Sequence, residues 1–169
     1  MFHSPLFLTG GRGFNSRRKA DMEKEYYMSL ALELAKEAAE SGEVPVGCVI
    51  VDSSGKVIGR GRNKRKEKND ATAHAEMEAI REASAALGDW RLDGCTLFVT
   101  LEPCPMCAGA IIMSRVPTLV FGAREALTGS VGSVIDLFAE KYGHSPAVFA
   151  GVLGEDCAAL LHDFFAGKR

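Results

Sequence analysis

Along residues 23–41 the apolar positions recur at helical spacing. Tyr27, Leu30, Ala31, Leu34 and Ala38 form one stripe, with Asp21 placed to cap the helix and Gly42 to stop it. The pattern changes at residue 44. Residues 44–51 are almost uniformly apolar and rich in β-branched side chains, the signature of a strand buried on both faces. Asp52-Ser53-Ser54-Gly55 is a turn signal and residues 56–62 read as a second strand, so the two make a hairpin. Gly59 and Gly61 weaken that strand and mark either a bulge or a close approach of backbone. A helix over 73–87 follows, capped by Thr72 and ended by Gly88, with Ile80, Ala83 and Leu87 on its inner face. Residues 96–100 form a strand feeding a helix over 104–115, which Pro117 closes. Strands over 118–123 and 147–152 flank a glycine-bearing loop with a short helical piece around 134–142. A last helix over 156–166 carries an apolar stripe of Leu160, Leu161, Phe164 and Phe165 for core or dimer contacts. Strands alternating with helices imply an α/β sheet covered on both faces, and the hairpin makes that sheet mixed.

Composition fits this pattern to one domain. The chain has 169 residues, 47% hydrophobic and 25% charged, enough for a core without staples. No apolar run approaches the ~20 residues of a membrane span. Five cysteines are an odd number, and Cys48, Cys95 and Cys157 read as reduced, buried thiols of a cytoplasmic protein. Residues 1–21 contain Arg12, Arg17, Arg18 and Lys19 against the single acid Asp21, with a Gly10-Gly11-Arg12-Gly13 tract. They read as a disordered extension ahead of a domain over 22–169; an organelle transit peptide is the other reading. Without that extension the body is more acidic than the whole chain's net charge of −2. A nucleic-acid partner must then be held by a local patch. Residues 60–68 supply one, since six of those nine are basic and only Glu67 is acidic. Arg62, Lys64 and Arg65 are its candidate phosphate contacts, a solvated loop being the plain alternative.

The candidate chemistry lies in Thr72-Ala73-His74-Ala75-Glu76 and Pro103-Cys104-Pro105-Met106-Cys107. One imidazole and two thiols make a three-ligand zinc set with the fourth tetrahedral position open, which is the mark of a catalytic site. Glu76 is two positions from His74, so the two converge only in the first turn of a helix, off its end. Cys104 and Cys107 share a face at a second helix start, where Pro105 is tolerated, and two helix N-termini favour thiolates. Taken singly, each residue could be a buried thiol or a core histidine. A closed structural site would need a fourth ligand, and Cys48 and Cys95 lack chelate spacing to any partner. The His-x-Glu and Pro-Cys-x-x-Cys motifs together are those of zinc nucleobase deaminases.

Over residues 22–166 the sequence resembles the bacterial TadA-type tRNA adenosine deaminases of the cytidine deaminase superfamily. Beyond the zinc motifs, the resemblance is carried by Glu43-Val44-Pro45-Val46-Gly47, Val99-Thr100-Leu101-Glu102, Phe121-Gly122-Ala123-Arg124 with Thr128-Gly129, and Cys157-Ala158-Ala159-Leu160-Leu161. It implies a three-layer α/β/α sandwich with a five-stranded mixed sheet, a homodimer, and hydrolytic conversion of the wobble adenosine of a tRNA anticodon stem-loop to inosine. It also implies roles: His74, Cys104 and Cys107 hold one zinc per subunit, Glu76 shuttles protons, Asn63 hydrogen-bonds the flipped base, and Val44 and Ala75 line the pocket. The sequence departs from the family pattern at Glu125, where Asp is frequent, and in a final helix without a longer basic tail. Both departures bear on RNA affinity and leave the chemistry alone. The alternative reading is a zinc deaminase of a free base or nucleotide, of guanine or cytosine type.

Overall fold

The structure, a computed structural model, describes residues 11–167. Its elements are α1 (Gly11–Glu40), β1 (Gly47–Val51), β2 (Val57–Arg62), α2 (Ala75–Leu87), β3 (Thr96–Leu101), α3 (Pro105–Met113), β4 (Thr118–Ala123), a 3-10 turn at Leu137–Ala139, β5 (Ala147–Ala150) and α4 (Gly154–Ala166). The five strands form one sheet in the order β2-β1-β3-β4-β5. β1 pairs antiparallel with β2 and β3, while β3, β4 and β5 run parallel. The expected mixed sheet is therefore present, with its hairpin at one edge. The alternation of side chains along each strand gives two cores. On one face Cys48, Ile50, Leu97, Val99, Leu119 and Phe121 pack with Ala75, Ala79 and Ala83 of α2 and Ala108, Ile111 and Ile112 of α3. On the other, Val49, Val51, Phe98 and Val120 meet Tyr27, Met28, Ala31 and Leu32 of α1 and Cys157 of α4. Coverage stops at β4: all four β5 residues are exposed, because α4 packs on β4.

α1 and α2 start away from the residues expected, and the glycines of β2 decide between the two readings given for them. α1 starts at Gly11, well ahead of the expected Asp21 cap, and Asp21 instead pairs with Lys24 within the helix at 3.3 Å. The disorder expected for residues 1–21 lies outside the described residues over 1–10, and from residue 11 the backbone is helical. The physical reason is propagation: once Tyr27 and Met28 anchor the helix, Arg, Lys and Ala extend it cheaply, although the turn over residues 16–22 buries nothing. α2 begins at Ala75, later than a Thr72 cap would start it, since the Thr72 hydroxyl is bonded to Asp70 and His74 takes the N-cap position. The glycines of β2 serve close approach. A Cβ on Gly61 would stand 2.0 Å from the Ala75 carbonyl oxygen and one on Gly59 2.4 Å from that of Ala79, so α2 lies directly on β2. The irregularity in the hairpin falls between Ile50 and Val51 instead.

Candidate active site

The site forms where α2 and α3 both point their N-termini at the end of β3. His74 and Cys104 are the N-cap residues of the two helices, in extended conformations (φ −78°, ψ 157° and φ −73°, ψ 172°), and neither side chain caps its own helix. Both side chains are thus left to converge beyond the helix ends, with Pro105 at the first position of α3. His74 Nδ1 lies 3.6 Å from Cys104 Sγ and 3.5 Å from Cys107 Sγ. Ligand bonds of about 2.3 Å to sulfur and 2.0–2.1 Å to nitrogen at tetrahedral angles place such atoms about 3.5 Å apart. The three donors therefore fit a zinc ion, and they are the one His/Cys/Asp/Glu cluster of this kind among the described residues. Cys48 does not join them. Burial, reinforced by the Glu76 charge, pushes its thiol well up and keeps it neutral.

Charge in the cluster is shared. A hydrogen bond from the Cys107 thiol pulls Cys104 down to about 4, against burial and with help from His74. The same bond, with burial, pushes Cys107 up, and the bond to Cys104 raises His74. A divalent cation would claim both thiolates and release the proton they share. Glu76, in the first turn of α2, is 4% exposed. Burial raises its carboxyl from 4.5 to about 7; the Cys104 charge adds to the rise, and a backbone hydrogen bond and His74 oppose it.

Beside the cluster is a cavity of about 150 Å³ lined by Val44, Asn63, Arg65, His74, Ala75, Glu76, Glu102, Cys104, Glu125 and Thr128, among others. That is below the about 300–1,000 Å³ of sites for drug-sized ligands and suits a single base. Of the residues singled out in the sequence, Val44, Asn63, Arg65 and Ala75 line it. Arg62 and Lys64 do not. They face a separate groove with Glu37, Glu78 and Glu82, and the Arg62 guanidinium is bonded to Glu67 at 2.7 Å. Buried Asn63 donates to the Val44 carbonyl at 3.3 Å and accepts from the Arg65 amide at 3.4 Å.

Sequence reasoning missed Glu102 as a working residue. Its buried carboxylate accepts the amides of Glu125 (3.2 Å), Val131 (3.1 Å) and Ser133 (3.0 Å) and the Ser133 hydroxyl. Burial alone would raise it, but the Ser133 hydroxyl and the three amides together hold it below the usual carboxylate range. The loop bearing Glu125 and Thr128 is thereby fastened beside Cys104. The available signal was an acid at the end of an apolar strand, directly before the Pro-Cys motif.

Comparison with known proteins follows the same lines. Residues 21–123 match the cytidine and deoxycytidylate deaminase zinc-binding region. The tRNA-specific adenosine deaminase of Bacillus subtilis is 49% identical over 148 residues, covering 87% of this chain and 91% of that protein. A solved structure from work on A-to-I editing by tRNA A34 deaminases at the wobble position of transfer RNA superposes with a TM-score of 0.78 at 44% identity, over 80% of this chain and 99% of the other. A guanine deaminase from Nitrosomonas europaea is also similar, at 29% identity and a TM-score of 0.68, with 84% of each chain covered. Identity of that extent to full-length relatives, on a zinc-binding region matching more than half of the sequence, means that the chain belongs to the cytidine and deoxycytidylate deaminase zinc-binding family, among its tRNA-specific adenosine deaminases.

Proposed function

We propose that the protein hydrolytically deaminates adenosine to inosine at the wobble position of tRNA anticodons. The observation that carries this reading is the single-base cavity lined by Asn63 and Glu76 beside the His74, Cys104 and Cys107 cluster. Zinc held by those three residues supplies Lewis acidity, making a water acidic enough to ionise near neutral pH. Glu76 takes the proton from the attacking water and delivers it to N1 of adenine, so that C6 accepts the oxygen. It then carries the proton of the newly added C6 hydroxyl to the amino group, which leaves as ammonia as the C6 carbonyl forms. Asn63, fixed by its bonds to Val44 and Arg65, presents its remaining amide hydrogen to the base, and Val44 and Ala75 supply apolar walls. An unpaired anticodon loop delivers its base to such a cavity without duplex opening.

The unit that does this is residues 22–169, in which packed side chains begin at Tyr27. It works as a homodimer through the outer face of α3, where Met113 is 69% exposed and lines an apolar hollow with Pro105, Gly109, Ile112, Leu137 and Tyr142. Buried thiols at Cys48, Cys95 and Cys157 fit the reducing cytoplasm, and no helix among the described residues is long and apolar enough to cross a membrane. Ammonia release from a wobble-adenosine anticodon stem-loop, set beside guanine, cytosine and free adenosine, tests the reading. Turnover of the stem-loop alone is expected; turnover of guanine without RNA would instead favour the free-base alternative.

A further inference from the structure

Under the basic loop lies an acid that the chemistry does not use. Glu43 is 2% exposed, and its Oε1 accepts the main-chain amides of Lys66 at 2.6 Å and Glu67 at 2.9 Å. Residues 64–69 wind into a tight turn, with the Lys68 amide bonded to the Lys64 carbonyl and Asn69 in the left-handed region at φ 50°. Such a turn leaves the amides of 66 and 67 pointing inward, where a buried N–H without an acceptor is costly. The Glu43 carboxylate meets both, and charge-assisted bonds of this kind are stronger than neutral ones. On this turn Lys68 pairs with Glu78 at 2.6 Å and Lys66 donates to the Gly42 carbonyl at 3.2 Å, while the Glu43 carboxylate is the tether of the main chain. The tether is laced to the cavity: Asn63 is bonded to the carbonyl of Val44, next to Glu43, and to the amide of Arg65, next to Lys66.

We propose that Glu43 is a positioning residue for the RNA substrate. Its carboxylate holds the turn in the conformation that sets Arg65 and Asn63 at the cavity and presents Arg65 and Lys66 beside it to backbone phosphates. The assignment rests on the tRNA reading above and acts through Asn63 and Arg65, not on the reacting atoms.

The test is steady-state kinetics on the zinc-loaded full chain with an anticodon stem-loop, together with the salt dependence of stem-loop binding. Glu43→Ala should raise KM by about tenfold or more and flatten the salt slope, while kcat stays within about threefold and the zinc content is unchanged. Glu43→Gln offers an amide oxygen to the same two N–H groups and should bring KM back to within about threefold of wild type. Should Glu43→Ala fail to fold, Glu43→Asp, one methylene short, should raise KM with zinc and kcat retained. An unchanged KM and slope in the Ala or Asp variant overturns the assignment. So does a loss of kcat and zinc in step with KM, or a Gln variant no better than Ala. A wild-type protein that does not turn over the stem-loop overturns the tRNA reading and this inference together; wild-type turnover with an indifferent Glu43→Ala overturns the inference alone.

Discussion

In the metal-free site burial raises the Glu76 carboxyl, and that has a consequence for stability. A carboxyl whose pKa rises from 4.5 to about 7 on folding is favoured by the fold in its neutral form. In the metal-free protein its contribution is therefore best below the unfolded value, declines as pH rises through about 7, and stays unfavourable above it. Glu76→Gln removes the titration. It should make the metal-free protein more stable than wild type at pH 8 by about 2–3 kcal/mol, with the gap closing near pH 4, as read by denaturant unfolding. An equal gap at both pH values would contradict the buried-acid assignment. A second expectation concerns the basic loop, where Arg65 is exposed at the cavity and Arg62 is spoken for by Glu67. Arg65→Ala should flatten the salt slope of stem-loop binding by about 0.7, the value for one single-stranded phosphate, and Arg62→Ala by much less. His74, Glu76, Cys104 and Cys107 were legible in the sequence because short-range spacing places them. Glu43 and Glu102 were not, because their partners are main-chain amides 23 to 31 residues away, and an amide leaves no mark in the sequence.

The site's geometry depends on how closely α2 sits on β2. The sequence showed Gly59 and Gly61 as anomalies in a strand but did not say what approaches them. Only the fold reveals that the Ala75 and Ala79 carbonyls fill the space. Gly61→Ala should push the N-terminal turn of α2 outward, destabilising the protein by about 1–3 kcal/mol or more. Because that turn carries Glu76 and follows His74, zinc affinity should fall with it. Gly88→Ala is the control: Gly88 ends α2 with φ +67° and nothing within 4 Å of an added Cβ, so the cost is about 1 kcal/mol of backbone strain with zinc binding unchanged. Thermal unfolding and zinc titration of both variants check this, and equal zinc affinity in the two would mean that the packing of α2 does not set the site. Strand and helix types were readable from period alone, and 118–123 is observed as expected. Boundaries were less so: Thr72 is a good cap in isolation, yet Asp70 takes its hydroxyl and the metal ligand His74 stands at the cap.

For the molecule as a whole the net charge is −2, yet Arg65 and Lys66 stand together on one loop beside the cavity, where the proposed tRNA substrate would meet them. The order β2-β1-β3-β4-β5 brings the ends of β3, α2 and α3 to that same corner, so metal ligands thirty residues apart meet there. The sequence implied a mixed sheet but could not show that β5 would lie open at the edge, since coverage depends on which strand α4 chooses. On the proposed mechanism Glu76 moves protons without helping to hold the zinc. Inosine formation at the wobble position of an anticodon stem-loop, measured beside zinc content for wild type, Glu76→Ala and Cys104→Ala, tests it most directly. The prediction is about one zinc per chain in wild type and Glu76→Ala, with turnover lower by about 10²–10⁴-fold or more in the latter, and zinc largely lost from Cys104→Ala. Near wild-type inosine formation by Glu76→Ala, or full zinc in Cys104→Ala, would contradict it.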